Sequence, residues 1–241
     1  MIEFQEWPKI PRLNRDITIT EKIDGTNAAV GILTGNEADT AGLGEDAGKG
    51  IYPLGGVFVY AQSRSQIITP AQDNKGFAKW VWNHAEELAS ILGVGIHHGE
   101  WWGNGIGRGY GLAQGDKRFS LFNTKRWGQD ELVNGIGTPL IAGLDCVPVL
   151  YEGPFDDGSH YSHWDESLYE LSAEGSKAAP GFNRPEGVVI YHHAANSCFK
   201  VTLENDESPK EVLRKQTLKD FRESERASVA RIFDVPAVFT S

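Results

Sequence analysis

The sequence predicts an α+β domain, mostly strand with a few helices packed around one core, and three observations carry that prediction. Short runs alternate apolar and polar residues between Gly, Pro, Asn and Asp clusters, the pattern of half-buried strands. Helical spacing is sustained in only a few windows. No internal repeat and no linker-like stretch divides the 241 residues, a length that one large domain or two small ones could fill.

In chain order, residues 16–33 read as a β-hairpin turning at Asp24-Gly25, a strong turn signal between β-prone flanks. Residues 35–56 are Gly-rich and polar and read as a loop between strands. "GVFVYAQSRS" (56–65) alternates into a strand. In "GFAKWVWNHAEELASILG" (76–93), Phe77, Trp80, His84, Leu88 and Ile91 share one helical face, a core stripe that Gly93 ends. Strands follow at 93–103, 117–127 and 146–153, and a short helix at 162–174. "RPEGVVIYHH" and "NSCFKVTLE" read as a second hairpin, and residues 209–232 as a charged helix. The chain thus divides at 1–208, a single domain, and 209–241, a helical extension.

Composition excludes several classes. No stretch approaches the ~18 apolar residues of a membrane span, and "MIEFQEWPKIPRLNRD" has acids and prolines where a secretory leader needs a basic end and an apolar run. Two cysteines, Cys146 and Cys198, suit a reducing cytoplasm and form no disulfide framework. The formal charge of −10 argues against broad non-specific nucleic-acid binding, while leaving room for a local basic groove. "LGEDAGKG" fails as a phosphate-binding loop at Leu43 and Gly50, and "GNGIGRGYG" (103–111) has no G-x-G-x-x-G register. Vicinal histidines His97-His98 and His192-His193 would point to opposite faces of a strand and lack zinc-site partners.

Charge among strand residues is costly unless it is paired. Lys22 follows "ITITE", Arg64 ends "VFVYAQS", Glu100 interrupts "IHHGEWW", Glu186 precedes "GVVIY", and Lys200 lies between Phe199 and Val201. Each alone reads as a strand-edge charge or half of an ion pair. Together they suggest one pocket for something polar and anionic: two Lys and an Arg for phosphates, two Glu for a ribose hydroxyl and a divalent cation. Lys22 beside the Asp-Gly turn is either a turn residue or an amine nucleophile.

The ordered motifs EKIDGTN (21–27), SRS (63–65), GEWWG (99–103), RFSLFN (118–123), PEGVV (185–189) and FKV (199–201) resemble the covalent nucleotidyltransferase superfamily of polynucleotide ligases and mRNA capping enzymes. More narrowly, the chain is similar to the RNA-ligase family that includes phage double-strand-type RNA ligases, on the form of EKIDGTN and the lead-in WPKIPRL. The resemblance implies a single adenylation domain of antiparallel sheets flanked by helices. It also implies a cytoplasmic, monomeric enzyme using ATP with Mg²⁺ or Mn²⁺ on RNA carrying 5′-phosphate and 3′-hydroxyl ends. Lys22 would attack the α-phosphate of ATP, forming a Lys–AMP phosphoramidate. Lys200 would neutralise that phosphate, and Glu186 would hold the metal. Glu21 and Ile23 would help hold the nucleotide, Asn27 would sit near the ribose or a hydrated metal, and Arg64 would contact the ribose or the accepting phosphate. Glu100 would bind the ribose hydroxyl, and Phe119 or Phe122 would stack on adenine, with Phe119 slightly favoured. The family's last motif carries two Lys one residue apart, whereas the neighbours of Lys200 at that spacing are Cys198 and Thr202. The 40 residues after Val201 are too few for the OB-fold domain of DNA ligases and capping enzymes, so RNA end-joining is the leading expectation. A nucleotidyltransferase acting on DNA or another end, and a silent RNA-end-binding protein, are the alternatives.

Overall fold

The computed structural model describes residues 3–36, 51–128 and 130–204. Two sheets organise them. The first has the order β11-β10-β1-β9, from β1 (Asp16–Lys22), β9 (Val149–Pro154), β10 (Gly187–His192) and β11 (Ser197–Thr202). The second has the order β3-β4-β2-β6-β7-β8, with β5 (Ile67–Ile68) paired to β4. Its strands are β2 (Thr26–Thr34), β3 (Ile51–Leu54), β4 (Val57–Ser63), β6 (Gly95–Gly103), β7 (Lys117–Leu121) and β8 (Leu144–Cys146). All pairings are antiparallel except β7 with β8. The α+β class is as the sequence predicts.

Period-two alternation decides which face each strand buries. Ile17, Ile19, Val188 and Ile190 turn to one face of the first sheet and pack on Leu168 and Leu171 of α3 (His163–Glu174). In the second sheet Ala28, Val30, Ile32, Val59, Ala61, Trp101, Phe119 and Leu121 face α1 (Phe77–Asn83) and α2 (Ala85–Leu92). Asp73 anchors α1 by accepting the N–H groups of Ala78 and Lys79 at 2.7 and 3.1 Å, which satisfies orphan donors of its first turn.

Several expectations need correction. Residues 16–33 are not a hairpin: β1 pairs with β10 and β9, and β2 with β4 and β6, so Asp24-Gly25 carries the chain from one sheet to the other. The helix expected over 76–93 is two, because His84 leaves helical geometry at φ −118° and ψ 21°. Within the expected 35–56 loop, Ile51–Leu54 forms β3, paired with β4 through a turn at Gly55-Gly56. The 146–153 run is divided between β8 and β9 around Val147-Pro148. The second hairpin and the 162–174 helix form as expected. The 208/209 boundary and the 209–232 helix lie outside the described residues.

Candidate active site

Lys22 ends β1 on the face away from α3, since Ile17, Ile19 and Glu21 alternate with it. Its Nζ donates to Glu186 Oε2 at 2.6 Å, and both side chains keep some access to solvent. Strand pairing sets this meeting: Lys22 lies opposite Gly187, the residue after Glu186, and Gly187 lies opposite Thr202. Gly187 is required there, because its φ is 156° and a Cβ would fall 2.1 Å from the Val201 carbonyl oxygen.

Glu100 comes from the second sheet, where it pairs with Asn27 and Ser120. Its Oε1 accepts the Gly25 N–H at 3.1 Å. Burial pushes its carboxyl up to about 7; the positive charge of Lys22 and the Gly25 N–H oppose this, while Glu186 and Asp24 reinforce it. Lys22, Glu186 and Glu100 therefore share one electrostatic environment where the two sheets meet. Gly25 makes the approach possible: a Cβ there would lie 2.5 Å from the Trp101 carbonyl oxygen and 2.9 Å from Glu100 Cγ.

The glycine-rich 103–111 segment, empty as a nucleotide motif, holds this turn. Gly103, Gly105, Gly107, Gly109 and Gly111 all have positive φ, and the loop folds beneath Asp24. The Asp24 N–H donates to the Tyr110 hydroxyl at 2.7 Å, and the Tyr110 ring packs on Trp102 and Phe182 at centroid distances of 5.0 and 4.7 Å. Burial raises the Tyr110 hydroxyl well above its usual range, so it stays neutral. Arg108 spans the two motifs. Its Nε lies 3.5 Å from Asp24 Oδ2, its Nη1 donates to the Arg184 carbonyl at 3.1 Å, and its Nη2 pairs with Glu204 at 3.2 Å. Sequence reasoning missed Arg108 and Tyr110. The only signal was a basic residue and an aromatic within a run of alternate glycines directly after GEWW.

Glu21 and Ile23 point elsewhere. Glu21 is 1% exposed; its Oε2 accepts the N–H groups of Lys177 and Ala178 at 2.8 and 2.9 Å, and its Oε1 has no hydrogen-bond partner among the described residues. Burial raises its pKa, against the pull of the Ser176 hydroxyl nearby and then of those N–H groups. Ile23 is buried with Trp102, Tyr110, Val147 and Ala179. Both side chains lock the 176–182 segment against the base of the turn.

The RNA ligase family profile matches residues 15–202. The chain belongs to the RNA ligase family. Comparison with curated proteins gives no match. Among solved structures, a Naegleria gruberi RNA ligase mutant with ATP and Mn matches at 16% identity and a TM-score of 0.47, over 78% of this chain and 49% of that one. A second mutant of that ligase, with AMP and Mn, matches at 15% identity and a TM-score of 0.48, over 79% and 50%. The same ligase with PPi matches at 16% identity and a TM-score of 0.44, over 80% and 52%. This chain spans about half the length of the solved structures that it matches.

The other residues expected from the RNA ligase motifs divide into two groups. Asn27 stands beside Glu100, and Lys200 lies on the Lys22 face of the first sheet, in the Thr20–Val189 row. Two strand spacings and two residues of rise put the Lys200 and Lys22 Cα atoms roughly 12 Å apart, so a phosphate can lie between their side chains. Cys198 and Thr202 share that face, and Thr202 is in the row of Lys22 itself. Arg64 is exposed just past β4, and no contact joins it to Lys22 or Glu100 among the described residues. Phe119 is fully buried on the helix face against Phe77, because the residue pairing with Glu100 is Ser120 and Phe119 alternates away. Phe122 is 41% exposed. No group of three or more His, Cys, Asp or Glu among the described residues is arranged to hold a metal alone. Mg²⁺ commonly binds through one or two carboxylates plus substrate phosphates, and Glu186 beside Lys22 fits that mode.

Proposed function

We propose that this chain is an ATP-dependent RNA ligase whose nucleophile is Lys22. The observation that carries the proposal is the Lys22 Nζ–Glu186 Oε2 contact of 2.6 Å, made where Glu100 of the other sheet adds its carboxylate. Unprotonated Nζ attacks the α-phosphorus of ATP, the bond to the bridging oxygen breaks, and pyrophosphate leaves. Glu186 Oε2, already hydrogen-bonded to the amine, is an acceptor for the proton that Lys22 gives up. Lys200 neutralises charge on the phosphate oxygens, Glu100 and Asn27 bind the ribose edge, and Phe122 stacks on the base. A divalent cation on Glu186 and phosphate oxygens would further neutralise the phosphates. AMP then passes to an RNA 5′-phosphate, and a 3′-hydroxyl attacks that phosphate to expel AMP and close the strand.

Two free cysteines, Cys146 buried and Cys198 exposed, fit a cytoplasmic protein, and we infer a monomer. No described helix is long and apolar enough to cross a membrane. The test is a sealing panel with ATP and Mg²⁺: nicked RNA, single-stranded RNA and matched DNA, each with 5′-phosphate and 3′-hydroxyl ends. Joined RNA supports the proposal. DNA joining alone favours the other-end nucleotidyltransferase. RNA binding with neither joining nor AMP transfer favours the silent end-binding protein, to which the absent second Lys lends support.

A further inference from the structure

Residues 3–15, "EFQEWPKIPRLNR", repeat every third position. Phe4, Trp7, Ile10 and Leu13 form one series; Glu3, Glu6, Lys9, Arg12 and Arg15 a second; Gln5, Pro8, Pro11 and Asn14 a third. A period of three with two prolines is that of a polyproline II helix, which has three residues per turn, so over residues 3–12 each series lines one edge; the chain then bends at residues 13–15, where the Arg15 N–H donates to the Leu13 carbonyl oxygen at 3.0 Å. Residues 3–12 form no helix or strand, and no hydrogen bond or ion pair joins them to the other described residues. Attachment begins at Leu13, whose carbonyl oxygen accepts from His192 at 2.7 Å, and at Arg15, whose carbonyl oxygen accepts from Phe155 N–H at 3.0 Å. The apolar series is between 66% and 91% exposed, a row of four large apolar side chains turned to water.

We propose that this segment is an arm that binds single-stranded RNA, an inference that rests on the ligase reading above. On a chain of net charge −10, residues 7–15 carry Lys9, Arg12 and Arg15 and no acid. That stretch is a place outside the cleft where phosphates can be met on an acidic chain. Phe4 and Trp7 supply rings for bases, the combination of cation and stacking platform that unpaired strands fit. Glu3 and Glu6 confine the phosphate contacts to the part nearest the domain. At about 3.1 Å per residue, residues 3–12 of the arm reach roughly 28 Å from end to end. It leaves from the start of β1, the end opposite Lys22, so it grips RNA away from the reacting ends.

The test is fluorescence anisotropy of a labelled single-stranded RNA with the full chain over a series of salt concentrations. One variant combines Lys9→Gln, Arg12→Gln and Arg15→Gln; another combines Phe4→Ala and Trp7→Ala. The first is expected to flatten the slope of log K against log salt by about 2, from about 0.7 per cation on a single strand. The second is expected to weaken binding about tenfold at every salt concentration with the slope unchanged. Self-adenylation without RNA, which needs none of these side chains, checks that both variants keep the cleft. Parent-like RNA affinity and slope in both variants would overturn the inference, including the case in which the arm seats in an aromatic groove of a protein. A parent protein that neither adenylates itself nor binds RNA would instead bring down the ligase reading.

Discussion

Replacing Glu100 by Gln isolates the cost of holding a carboxylate where the sheets meet. In the folded protein burial lifts Glu100 from an ordinary 4.5 to about 7, despite the nearby charge of Lys22. Each tenfold change in acidity is worth about 1.36 kcal/mol, so the ionised form is disfavoured in the folded state by about 3 kcal/mol. The sign follows from proton binding. Between pH 4.5 and about 7 the folded state keeps a proton that the unfolded chain has released, so stability falls as pH rises through this window. Glutamine stays neutral and retains the oxygen that accepts the Gly25 N–H. Urea unfolding of parent and variant without nucleotide, followed by tryptophan fluorescence from pH 5 to pH 8, is the assay. The variant should gain on the parent by about 2–3 kcal/mol across that range. A gap between the two that does not change with pH would refute the reasoning, because it would mean that Glu100 ionises in the folded protein as it does in water.

Two further outcomes follow from the geometry around Lys22. Arg108→Ala removes contacts to Asp24, to the Arg184 carbonyl and to Glu204, and should slow self-adenylation on the order of 10- to 100-fold through misplacement of Lys22 against Glu186. Arg108→Lys should not rescue it, since a single nitrogen cannot reach the three separate sites that Nε, Nη1 and Nη2 reach; full activity in the Ala variant would show that Arg108 does not position the pair. Thr202→Lys puts a cation in the row of Lys22 and should speed self-adenylation, measured in a single turnover. Cys198→Lys, in the Thr18 row, should leave the rate unchanged. The reverse pattern would place the family's second Lys on the other side of Lys200.

The fold class and the central charges were legible because each leaves a local mark. Alternation marks strands, and a charge such as Glu100 or Glu186 among apolar residues stands out, since burial must be compensated. Pairing over distance leaves no such mark. Asp24-Gly25 carries every local sign of a hairpin turn, yet the partner of β1 is β10, with Lys22 opposite Gly187. Strand β3 was hidden by Pro53 within it and Gly55-Gly56 after it, which signal a loop. Phe119 and Phe122 differ in burial by the direction their side chains take, which depends on where β7 ends. Arg108 and Tyr110 act from a loop of positive-φ glycines, where no periodicity exists to be read.

The central claim is that Lys22 is presented as a nucleophile, and intact-mass measurement after incubation with ATP and Mg²⁺, without nucleic acid, tests it most directly. The account predicts a gain of one AMP in the parent protein, located at Lys22 by fragmentation and missing in Lys22→Ala. A parent protein that gains no AMP, with Mn²⁺ and GTP also tried and no AMP already attached as purified, would contradict it.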